Sequence, residues 1–123
     1  MGSCRNGTNV GNTVGSHDLG FPSGPRGFPT NLHSGKQGKH IPGHNNFQAG
    51  KSIIHGGLNA AQQLIIEGAG KGEWHEPNKE TVNFGRIIGT YVSQSGERME
   101  TTVGTIHYSS TGAHIVPSRP REE

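Results

Sequence analysis

The sequence predicts an α+β domain in which a small N-terminal helical part packs on a twisted antiparallel β-sheet. Three observations carry this. One amphipathic helical pattern lies near mid-chain, β-branched and aromatic residues dominate the C-terminal half, and Gly-containing turns divide that half into strands. At 123 residues the chain has room for one domain with one core. Only 28% of it is hydrophobic and 21 residues are glycine, so part of the length must lie outside the core.

Residues 1–34 are rich in Gly, Asn, Ser and Pro and show neither helical nor strand periodicity, which reads as a flexible linker. The folded domain is expected over residues 35–120, with residues 121–123 as a tail. Residues 35–47, GKQGKHIPGHNNF, are polar, basic and interrupted by Pro42, and predict a structured loop or a short helix ending before the proline. Residues 58–67, LNAAQQLIIE, give the helix: Leu58, Ala61, Leu64 and Ile65 share a face, and Gly68 is placed to end it. Residues 68–79 then read as a loop carrying the single tryptophan, Trp74. Two strands are predicted over residues 81–93 and 98–109, joined by a turn at Ser95 and Gly96. A turn over residues 110–112 leads to a short strand at 113–116, ended by Pro117, so the three strands form an antiparallel meander.

Charge and cysteine usage exclude more than they assign. The formal net charge is +2, too small to define a partner class. No run approaches the roughly 20 apolar residues of a membrane span, and the N-terminus lacks the apolar centre of a signal peptide, so the domain itself is expected not to bind membranes. The one cysteine, Cys4, forms no intramolecular disulfide, which fits a reducing compartment. The eight histidines are more informative, because imidazole exchanges protons near neutral pH.

Strand parity sorts the last hairpin. Ile106, Tyr108, Ala113 and Ile115 fall on one face, which should meet the helix; Thr105, His107, Ser109, His114 and Val116 fall on the other. A four-residue loop sets His107 opposite His114, and a two-residue loop sets Ser109 there instead. Metal-independent RNA cleavage requires a base for the 2′-OH proton, an acid for the departing 5′-oxygen, and a cation or donor for the phosphate. The candidate catalytic residues are therefore His40, His107, Ser109 and His114, with Lys36, Lys39, His44, Asn46 and Lys51 as substrate-binding residues. Trp74, Phe47 and Tyr91 are available to stack on a base, core burial being the alternative for the last two. Neither a metal nor a cofactor is expected: His40 and His44 have ligand spacing, but Pro42 and Gly43 between them disfavour a shared helical face, and no Cys or Asp cluster completes a shell. His17, His33, His55 and His75 are expected to be structural or to lie in flexible regions.

The stretches GKQGKHIPGHNNF and IHYSSTGAHIVP, with VNFGRIIGTYV between them, resemble the polymorphic toxin type 50 domain over residues 35–120. The resemblance implies a ribonuclease of the barnase/EndoU/colicin/RelE-like class, with helices ahead of an antiparallel sheet. It also implies that the domain is secreted or delivered as part of a larger toxin and acts in the target-cell cytoplasm on RNA, tRNA among the candidates. A cognate immunity protein, acidic on its contacting face, is implied as a second partner. His40 falls in the first motif; His107, Ser109 and His114 fall in the second, without base and acid being told apart. The competing expectations are a noncatalytic binding module of a phage structural protein or adhesin, and a metal-dependent DNase toxin.

Overall fold

The structure, a computed structural model, describes residues 23–120. After a 3-10 turn at Pro25–Gly27 come α1 (Ser34–Gln37), a second 3-10 turn (Gly38–His40), β1 (Ile53–Ile54) and α2 (Gly57–Gly68). Next along the chain are β2 (Glu73–His75), β3 (Lys79–Asn83), β4 (Gly89–Val92), β5 (Arg98–Thr101), β6 (Val103–Ser109) and β7 (Gly112–Pro117). The α+β class is as the sequence predicts, but the single meander is not. Two antiparallel sheets form, one in the order β2-β3-β6-β7 and one in the order β1-β4-β5.

The difference arises where two predicted strands each divide. Asn83 accepts the Gly85 N–H at Oδ1, and Gly85 takes φ 76°, a conformation glycine adopts without penalty, so the chain leaves the larger sheet there and joins the smaller one at Gly89. The return is made at Thr101 and Thr102. Thr101 is 1% exposed and accepts the Val103 N–H at Oγ1, while the two threonine carbonyls take the N–H groups of Ile88 and Phe84. The expected loop at 68–79 also contains structure: β2 pairs with β3, setting Glu73 opposite Thr81 and His75 opposite Lys79.

The helix behaves as its pattern predicts. Ala61, Leu64 and Ile65 are buried and meet Ile106, Tyr108, Ala113 and Ile115 of the larger sheet, along with Ile41, Ile54, Val82 and Ile88. Full burial of each large aliphatic side chain stabilises the fold by about 1.5–3 kcal/mol. Gly68 does not end the helix by its own backbone; it is the last helical residue, and a Cβ there would lie 3.0 Å from the Phe84 ring. Chain reversal falls to Gly70, at φ 83°.

The folded unit begins upstream of Gly35. Phe28 stacks on Trp74 and Tyr108, with ring centroids 6.3 and 5.7 Å away, and Thr30 is fully buried. Leu32 bridges to Ala113 in parallel. Composition assigns this segment to the linker because it offers few apolar groups. What fixes it instead is backbone hydrogen bonding: Gln62 of α2 accepts from Leu32 N and donates to Thr30 O, while Asn31 O and His33 N bond Ala113 of β7. The rest of the expected linker, with Cys4 and His17, and the tail at 121–123 lie outside the described residues.

Candidate active site

The segment that covers the free edge of β7 also delivers His40. Gln37 is fully buried and clamps Ile115, donating from Nε2 to its carbonyl at 2.8 Å and accepting its N–H at Oε1 at 2.7 Å. The 3-10 turn Gly38–His40 follows directly, so the clamp brings His40 beside His114, the residue preceding Ile115. His33 accepts the Lys36 N–H at Nδ1, which caps the single turn of α1.

Three imidazoles result in one near-parallel row. His107 and His114 sit directly opposite in the β6–β7 ladder, with centroids 4.8 Å apart and planes 18° from parallel. His114 and His40 are 6.4 Å apart at 12°. The opposition of His107 and His114 is the pairing expected of the longer loop, yet only Ser110 and Thr111 separate the paired residues Ser109 and Gly112. The expectation miscounted because Ser109 and Gly112 are themselves part of the ladder.

His40 is the most constrained of the three. It is 8% exposed, and its Nδ1 lies 2.8 Å from the Ser52 carbonyl oxygen. A carbonyl only accepts, so Nδ1 carries the proton and the neutral ring keeps Nε2 as an acceptor. Burial depresses the basicity of His40, the Ser52 carbonyl opposes that, and Lys51 and Lys39 add to it. His107 is held down to about 4, first by burial and then by the charges of Lys79, His40 and Lys36. His114, in the centre, is held down to about 3 by burial and by His107, His40, Lys36 and His33. At neutral pH the row is therefore uncharged, with lysine side chains around it, and protonation of any ring is disfavoured.

The other expected residues divide into those gathered at the row and those set apart. Lys36, Lys39 and Lys51 are exposed, and each is close enough for its charge to reach at least one of the three rings. Ser109 shares their face, but its hydroxyl donates to Gly112 O at 2.8 Å and lies 3.2 Å from Thr111 Oγ1, which engages it in the hairpin turn. His44 accepts the Asn46 N–H at Nδ1, and its ring packs against Gly38, where any Cβ would overlap it. Asn46 donates to Gly35 O at 3.0 Å, tying this loop to α1. Both therefore support the turn that carries His40. Trp74 is directed to the core face, against Phe28 and Tyr108, and so is not available to stack beside the histidines. Phe47 and Tyr91 are half-buried and outside the core cluster.

Lys79 is a site residue that sequence reasoning missed. It lies opposite His107 in the β3–β6 ladder, on the same face. Its position was hidden because the strand was expected to begin at Thr81; the alternation of Lys79, Thr81 and Asn83 with the buried Glu80 and Val82 is the signal that would have found it. Among the described residues no group of three or more His, Cys, Asp or Glu side chains is arranged to hold a metal ion.

A family model described as bacterial toxin 50 matches residues 32–117. The match spans α1 to β7 and includes His40, His107 and His114. No curated protein matches the chain.

Proposed function

The chain belongs to the bacterial toxin 50 family, and from that premise we propose that this toxin domain is a metal-independent endoribonuclease. The observation that carries the reading is the His40, His114, His107 row with the His40 tautomer fixed by Ser52. His40 Nε2 takes the proton from the ribose 2′-OH. The freed O2′ attacks phosphorus, the P–O5′ bond breaks, and His107 in its protonated form gives a proton to O5′. The products carry a 2′,3′-cyclic phosphate and a 5′-hydroxyl. His114 and Lys36 face the phosphate between the two proton carriers, with Lys39 and Lys51 on the His40 side.

An anionic phosphodiester at the row favours protonated imidazole, which supplies the acid that burial removes in the free protein. Metal independence is part of the same proposal, and it is supported by a mechanism in which imidazoles and ammonium groups supply the base, the acid and the phosphate contacts. On this reading the domain is delivered within a larger toxin, poisons RNA in the cytoplasm of a competitor cell, and is blocked in the producer by an acidic immunity protein. Among the described residues no helix is long and apolar enough to cross a membrane.

The test is incubation of the full chain with total RNA in EDTA, followed by mapping of the cut ends. Fragments ending in 2′,3′-cyclic phosphate are expected. Cleavage that vanishes in EDTA and returns with a divalent cation, or degradation of plasmid DNA in place of RNA, overturns the proposal; so does harmless expression in a host that lacks an immunity protein, the outcome expected of a noncatalytic binding module.

A further inference from the structure

The histidine pair is one end of a longer row. Residues directly opposite in an antiparallel ladder share a face, and the registers run His114 to His107, His107 to Lys79, and Lys79 to His75, across all four strands of the larger sheet. With a strand spacing of ~4.8 Å the row from His114 to His75 is roughly 14 Å long. Lys79 and His75 are both exposed. The position of Lys79 is fixed from the neighbouring residue, because Asn78 donates to Tyr108 O at 2.7 Å and takes the Tyr108 N–H at its own carbonyl at 2.9 Å. The next row along this face, Glu73, Thr81, Thr105 and Val116, has no cation, so on these strands Lys79 and His75 continue the line of His114 and His107 without a second cationic row beside it.

We propose that this line is a phosphate track: Lys79 holds the backbone phosphate next to the scissile one, and His75 donates to the phosphate beyond, so the strand crosses β6, β3 and β2. The inference rests on the ribonuclease reading and gives it a direction, away from His40. Lys79 is a point charge and His75 an N–H donor, neither of which reads a base, so the track contributes affinity rather than sequence choice. The charge of Lys79 is felt at His107, as a shared phosphate-binding surface requires.

The experiment measures binding of fluorescein-labelled 2′-O-methyl oligonucleotides of two, four and six residues, which lack the attacking hydroxyl, by anisotropy at several salt concentrations. RNA cleavage by the same samples is followed in parallel. Wild type is expected to gain affinity with length. Lys79→Gln with His75→Gln should remove most of that gain and leave dinucleotide binding within about twofold, and Lys79→Gln alone should reduce the log–log salt slope by roughly one. An unchanged length dependence in the double variant overturns the track, as does an equal loss at every length, which marks diffuse charge. If wild type still cleaves RNA in either case, the ribonuclease reading stands; if wild type neither binds nor cleaves, both fall.

Discussion

Gln37 grips Ile115 by both ends of its side-chain amide, at 2.8 and 2.7 Å, and both residues are fully buried. The contact substitutes for a neighbouring strand at the edge of the sheet and fixes the approach of His40 to His114. Gln37→Ala leaves the N–H and the carbonyl of Ile115 without partners. Each orphaned buried group costs about 1–3 kcal/mol, so urea unfolding should show a loss of about 2 kcal/mol or more. Gln37→Glu keeps the volume and one acceptor but sets a carboxylate against a carbonyl, and its stability should also fall well below wild type. Wild-type stability in both variants would show that the clamp contributes nothing.

Ser109 and His107 lie two residues apart on one strand face and should behave differently. The Ser109 hydroxyl is engaged within the hairpin turn, so Ser109→Ala should change kcat/KM for RNA by less than about fivefold, within what one neutral hydrogen bond contributes. His40→Ala and His107→Ala each remove a proton carrier and should lower cleavage by about two to four orders of magnitude. A Ser109→Ala loss as large as that of His107→Ala would return the serine to the chemistry.

Much of this site was legible in the sequence because parity is a local property. Once residues 103–117 read as a hairpin, His107 and His114 had to share the face opposite Ile106 and Ile115, whatever the loop. Long-range closures were not legible. Nothing local says that the Gln37 amide will seal β7, that Gln62 will hold residues 30–32, or that Asn83 and Gly85 will send one apparent strand into two sheets. Lys79 was lost for the same reason: its importance comes from the partner strand across the ladder, not from its neighbours in sequence.

The depressed basicity of the row predicts an acidic activity optimum. In the free protein His107 sits at about 4 and His40 below its ordinary value. At neutral pH the base is ready but the acid is almost wholly deprotonated, and each unit of rising pH removes a further tenfold of the protonated form. The value of kcat/KM, which reports the free enzyme, should fall about tenfold per pH unit through neutrality, with its maximum on the acid side of 6.5. A profile that rises between about pH 6 and pH 8 would falsify the assignment of a histidine acid in this row.

Stability should run the opposite way. All three rings take up protons less readily folded than unfolded, where histidine keeps its ordinary value of about 6.5. Between 6.5 and the lowered folded values the unfolded chain binds more protons, so stability is complete above about pH 7 and is lost as pH falls through 6.5 toward 4. Glu67 has the same sign at lower pH, since Arg86 holds its carboxyl below the ordinary range and that contribution also disappears on protonation. Melting curves should therefore show Tm decreasing by several degrees between about pH 7.5 and pH 5. His114→Asn removes the central ring, and with it both its own protonation and its repulsion of His107, so the variant's Tm should depend less steeply on pH over that window even if its absolute value is lower. Parallel wild-type and variant slopes would place the acid sensitivity elsewhere. Activity favoured by acid and stability favoured by base then leave a narrow working range, set by the same three rings: acid that charges His107 for proton donation also charges a row whose burial was stable only while neutral.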